Sequence, residues 1–139
     1  MKRVLVVLVI LSISAGTAFA HHGRGSTYDT KKQISLKGTV SQLLWRNPHI
    51  AIFVDVKGED GKVVTWVIEH SNISQLARLG YGKNSLQVGM QVTAFVNPGS
   101  NGEPIGLCQK IVLADGKEIF QRNDLPPNLR RGAAGLVVD

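Results

Sequence analysis

The chain has 139 residues, 16 Lys and Arg against 10 Asp and Glu for a formal charge of +6, and a single cysteine. One cysteine excludes an internal disulfide and any cysteine-based zinc cluster, so stability has to come from an apolar core. The length suits one compact domain with tails, and the modest positive charge favours anionic surfaces only weakly.

Residues 1–20 read as a signal peptide. Lys2-Arg3 are followed by an almost unbroken apolar run from Val4 to Ile13, and Ala18-Phe19-Ala20 has the small-x-small form of a cleavage site. The run is shorter than the ~20 residues a membrane helix needs, so no integral membrane segment is expected after cleavage. The predicted mature protein starts at His21, is 139 minus 20 or 119 residues long, and loses Lys2 and Arg3, leaving 14 bases against 10 acids, or +4. An exported, periplasmic location is expected, and with it no nucleic-acid partner.

Residues 21–32 are polar and Gly-rich and read as a flexible arm. The barrel domain is expected over 33–120, starting with a long strand from Gln33 to Arg46 in which Gly38 suits a bend or bulge. Ile50 to Lys57 and Lys62 to Glu69 flank Gly58-Glu59-Asp60-Gly61, a strong hairpin signal. With Glu59-Asp60-Gly61 as a three-residue loop, Gly58 faces Lys62 and Ile52 faces Ile68. One face then carries Ile50, Ile52, Val54, Val56, Val64, Trp66 and Ile68, and a one-residue slip would mix the faces.

Asn72 to Gly80 reads as a short helix with Ser71 or Asn72 as cap and Gly80 as stop. Strands follow at Gln91–Val96 and Ile105–Leu113, separated by a loop over 97–102, and a short extension lies at Glu118–Phe120. From 121 to 139 the chain reads as a mobile basic tail. Three strands, a helix and two strands give an all-β class with one short helix. The expected fold is a five-stranded, partly open OB-fold-like barrel, with a small open β-roll as the alternative.

His21-His22, Asp29, Lys37-Gly38-Thr39-Val40, Trp45, Asn47-Pro48-His49, Val54-Asp55-Val56, Asp60-Gly61-Lys62, Trp66 and Leu113-Ala114-Asp115-Gly116-Lys117 carry a resemblance. The chain up to about Phe120 resembles a family of small secreted bacterial proteins catalogued as a domain of unknown function. That resemblance implies localisation and domain boundaries but no mechanism. Such proteins often have Met near the end of the third strand, where this chain has Glu69-His70.

All four histidines fall at two places. A free His21 would offer its α-amine and imidazole to one metal, His22 adds a second imidazole, and His49 and His70 sit at one end of the hairpin. Nitrogen-rich sites of this kind favour Cu(II). Opposite and diagonal cross-strand partners lie ~5–8 Å apart, so His49 and His70 are expected to be neighbours, although strict alternation would put them on opposite faces. The simpler reading gives His49 a loop carbonyl and His70 a capping role. Trp45, Arg46 and Asn47 are candidates for a ligand face, with Trp45 as a stacking platform. Trp66 reads as core and Cys108 as buried and inert.

No paired carboxylates, phosphate loop or nucleophile elbow is present. The leading expectation is a periplasmic, non-enzymatic binding module with copper as the first candidate ligand. An accessory module docking a periplasmic protein partner through Phe53, Val63 and Val67 on the outer sheet face and through the tail is the second reading. A copper-dependent oxidase built on the terminal histidine is the third.

Overall fold

A computed structural model describes residues 27–122. Its strands are β1 (Ile34–Leu44), β2 (Ala51–Lys57), β3 (Val63–Glu69), β4 (Gln91–Pro98), β5 (Ile105–Leu113) and β6 (Glu118–Ile119), with one helix, α1 (Ile73–Arg78), between β3 and β4. The sheet order is β3-β2-β1-β4-β5-β6, and a parallel pairing of β3 with β5 closes the first five strands into a barrel. This is the expected OB-like architecture, with β6 added along β5.

The hairpin adopts the register that binary patterning selects. Ile52 lies opposite Ile68, and Lys57 opposite Val63. Gly61 takes a φ of 80°, Gly58 N–H donates to the Lys62 carbonyl at 2.8 Å, and the Asp60 carboxylate accepts from Lys62 N–H. Ile50, Ile52, Val54 and Ile68 are buried, whereas Val64 at the tip is exposed.

β1 is shared between two partners. Its first half, Ile34 to Thr39, pairs with β4, and its second half, Thr39 to Leu44, pairs with β2. The bulge that permits the change of direction falls between Val40 and Gln42, not at Gly38. Gly38 serves close approach instead, since a Cβ there would stand 2.3 Å from the Asp55 carbonyl oxygen. Val40, Val54, Ala94, Val96, Cys108 and Ile111 fill the interior.

At one end of the barrel α1 is capped by Asn72, whose side chain accepts from Gln75 N–H, and its Leu76 is fully buried. Gly80, with a φ of 81°, ends the helical turn by donating to the Ala77 carbonyl. No helix among the described residues is long and apolar enough to cross a membrane.

Candidate functional site

Beyond β2 and β3 the hairpin ladder continues for one more step. His70 N–H donates to the Ile50 carbonyl at 3.1 Å, and Ile50 N–H donates to the Ser71 carbonyl at 3.2 Å. Alternation therefore persists past Pro48: Ile50 and His70 share the inner face, and His49 and Glu69 share the outer one.

On the outer face, His49 Nδ1 lies 3.0 Å from Glu69 Oε1, with both side chains about a third exposed or less. The carboxylate can only accept here, so Nδ1 carries the proton and Nε2 becomes the basic nitrogen of neutral His49. The other carboxylate oxygen, Oε2, accepts from the Tyr28 hydroxyl at 2.7 Å. Carboxylates that fix a histidine tautomer in this way are the usual outer partners of metal-ligating imidazoles.

Tyr28 reaches Glu69 because the segment before β1 is strapped to the barrel. Tyr28 forms a bridge with Gly99, Asp29 N–H donates to the Pro98 carbonyl, and Ser100 N–H donates to the Thr27 carbonyl. Asn97 Nδ2 donates to the Lys32 carbonyl from the other side. Tyr28 is only 6 % exposed. From Thr27 onward the expected arm is hydrogen-bonded to the barrel and buries Tyr28, while Thr27 and residues 29–32 stay exposed. Sequence reasoning missed both Tyr28 and the bridging role of Glu69. The one signal for Tyr28 was an isolated aromatic after a Gly-rich run.

On the inner face His70 is completely buried. Ser71 N–H donates to Nδ1 at 2.6 Å, which leaves Nε2–H to donate to the Phe120 carbonyl at 2.9 Å. Phe120 in turn seats its ring against Trp45, His70 and Tyr81, with centroids 6.3, 5.9 and 5.0 Å away. Both imidazole nitrogens of His70 are engaged by backbone groups. The expected sharing of one metal by His49 and His70 is not the arrangement found, because the two rings lie on opposite faces of the sheet.

The remaining candidates separate in the same manner. Trp45 is half-buried, packs against the core and sets its ring 6.3 Å from that of Phe120. Arg46 is exposed; Asn47 is exposed too, and its side-chain oxygen accepts from Ile73 N–H at the start of α1. Phe53 and Val67 face each other across β2 and β3 and are half-buried, while Val63 is exposed. Cys108 is buried, and burial pushes its thiol up to about 12, against a smaller lowering by Arg122. His21 and His22, the signal peptide and most of the tail lie outside the described residues. Among the described residues no three His, Cys, Asp or Glu side chains converge on one point that could hold a metal.

No curated protein matches this chain. Among solved structures, the mitochondrial single-stranded DNA binding protein Rim1 from S. cerevisiae is similar at 14 % identity, over 60 % of this chain and 93 % of that one, with a TM-score of 0.45. The profile described as "Family of unknown function (DUF6152)" matches residues 8–109, a span that holds His21-His22, the Trp45 to His49 stretch and the whole hairpin with its outer histidine, and the chain belongs to that family.

Proposed function

We propose that this protein is a secreted, periplasmic binding module without enzymatic activity that captures a Cu(II)-type metal at the outer rim of its barrel. The donors are the α-amine and imidazole of His21, the imidazole of His22 and His49 Nε2. Amine and imidazole nitrogens suit Cu(II), which heads the divalent affinity order. The observation that carries this reading is the Tyr28–Glu69–His49 chain of contacts. It supports the reading twice: Glu69 prepares His49 as a ligand, and Tyr28 fastens the arm beside it. His22 is six residues from Tyr28, a span of up to ~20 Å, so the terminal histidines need no long excursion. His70 is not a donor in this scheme, since its nitrogens hold the barrel end together.

The test is a Cu(II) titration of protein that starts at His21, followed by affinity and by the visible absorption band. His49→Ala should weaken binding at least about 10-fold and shift the band, and Glu69→Gln should weaken it about 10-fold through its hold on the ring. Equal affinity and an identical spectrum in His49→Ala would reduce the site to a peptide terminus and remove the reading.

A further inference from the structure

The barrel is not closed along its whole seam. β3 pairs with β5 only through Val67, Ile68 and Glu69, opposite Ile105, Gly106 and Leu107. Next to that stretch, Val67 N–H donates to the Pro104 carbonyl. Ahead of this point Val63 to Trp66 have no strand partner on the β5 side among the described residues. The gap is a cleft of about 340 Å³, lined by Trp66 and Ile34 together with Asp29, Lys32, Ser100 and Glu103.

This cleft is assembled from three separate parts of the chain. β3 contributes Trp66, which packs against the core, as its sequence position implies, but is not fully buried and also lines the cleft. The strapped segment contributes Asp29 and Lys32, and its backbone is held to Pro98 and Asn97. The loop contributes Ser100 and Glu103. Gly102 turns that loop with a φ of 81°, a conformation that side-chain-bearing residues rarely adopt.

The lining has a definite chemical character. Trp66 and Ile34 supply an apolar floor, and an indole face carries partial negative charge that attracts polarised C–H groups. Two carboxylates, a hydroxyl and one ammonium surround it. A rim with more acceptor than donor capacity and a net negative charge disfavours phosphate-bearing ligands and suits a neutral one rich in hydroxyl donors. The volume is at the small end of ligand pockets. We infer that this seam cleft binds a pyranose ring of a neutral glycan, its C–H face on Trp66 and its hydroxyls on Asp29, Glu103 and Lys32. The cleft lies beyond the metal-capture reading and does not depend on it, because Trp66 and Glu103 take no part in the Tyr28–Glu69–His49 contacts.

Two tryptophans are present in the chain, so Trp45→Phe leaves Trp66 as the sole indole reporter. Metal-free Trp45→Phe protein is titrated with maltotriose, cellotriose, chitotriose and, as an anionic comparison, adenosine monophosphate. Fluorescence is read alongside calorimetry on the unsubstituted protein. At least one trisaccharide should give saturable quenching or a blue shift together with heat. Glu103→Gln, on an exposed loop, should weaken that binding about 5- to 10-fold by removing a charged acceptor. Trp66→Ala should abolish the heat while circular dichroism stays unchanged. If Trp66→Ala fails to fold, the Glu103→Gln result alone decides. The inference is overturned if no trisaccharide produces a saturable signal by about 10 mM, if Glu103→Gln binds as well as the parent, or if the nucleotide binds more tightly than the sugars.

Discussion

His49 and His70 leave the same end of one hairpin, yet they do different jobs. His49 lies on the outer face, a third exposed, and is held by side chains: Glu69, and through it Tyr28. His70 lies on the inner face, fully buried, and is held by backbone: Ser71 N–H and the Phe120 carbonyl. The parity of a strand position separates the two, and through it identical side chains acquire opposite value. A buried imidazole with both nitrogens committed is a structural cross-link, whereas one held through Nδ1 by a carboxylate at a partly exposed rim is the one that the proposed metal site draws on.

The largest effect expected from breaking this contrast is on stability. His70→Ala strips partners from a buried N–H and a buried carbonyl, at ~1–3 kcal/mol each, and opens a cavity beneath Phe120. A total loss of about 3–5 kcal/mol is a large share of the 5–15 kcal/mol typical of a domain. His49→Ala removes a partly exposed contact with the Glu69 carboxylate and should cost no more than ~1 kcal/mol. Urea denaturation of both variants checks the difference; comparable losses would mean that the outer histidine is structural as well.

Next in size is Gly38→Ala on β1. Its new Cβ would fall 2.3 Å from the Asp55 carbonyl oxygen, a backbone atom that cannot swing away. Strand separation should cost about 2–3 kcal/mol, in the range of overpacked cores, and it would act on the same β2 that His49 leads into. Copper affinity in this variant should nonetheless hold near the parent value at temperatures where it remains folded. A parallel collapse of both properties would tie the rim to the rigidity of the barrel wall.

Cys108 sharpens the inner half of the comparison. Desolvation raises its thiol from 9.0 to about 12 in the folded protein. The unfolded chain releases that proton at lower pH, so between pH 9 and 12 the unfolded state binds fewer protons and stability falls as pH rises. Cys108→Ala should lose that part of the slope, measured as the difference between the two unfolding free energies across the interval. Native protein should also resist alkylation at about pH 8 and react promptly in urea, because only the thiolate attacks. Equal slopes and rapid native alkylation would show the interior to be wetter than its packing implies.

The fold was largely legible in the sequence, and the site was legible only in part. Period-two alternation around Glu59-Asp60-Gly61 selected the hairpin register because only one register gathers Ile52, Val54 and Ile68 on one side. Element order then pointed to the barrel. Gly38 was correctly marked as special but for the wrong constraint, since a bend and a close approach both demand glycine and nothing local distinguishes them. Tyr28 stayed invisible because its bond to Glu69 spans 41 positions. The commitment of His70 to Phe120 likewise spans 50 positions. Contacts at that range are set by how the barrel closes, and local pattern carries no record of it.

The smallest expected effect is the most discriminating for the outer rim. Tyr28→Phe keeps the buried ring and removes only the hydroxyl that donates to Glu69 Oε2. The stability loss should be about 0.5–1.5 kcal/mol, that of a single hydrogen bond to a charged acceptor near water. If Glu69 alone prepares His49, copper affinity should then stay within about 2-fold of the parent, since Oε1 still accepts from Nδ1. If instead the strap matters because it brings the terminal histidines close, affinity should drop several-fold while the visible band of the residual complex stays the same. Measuring both in one variant separates the tautomer-fixing role of the carboxylate from the tethering role of the tyrosine. These are the two ways the outer face could turn a plain imidazole into part of a site.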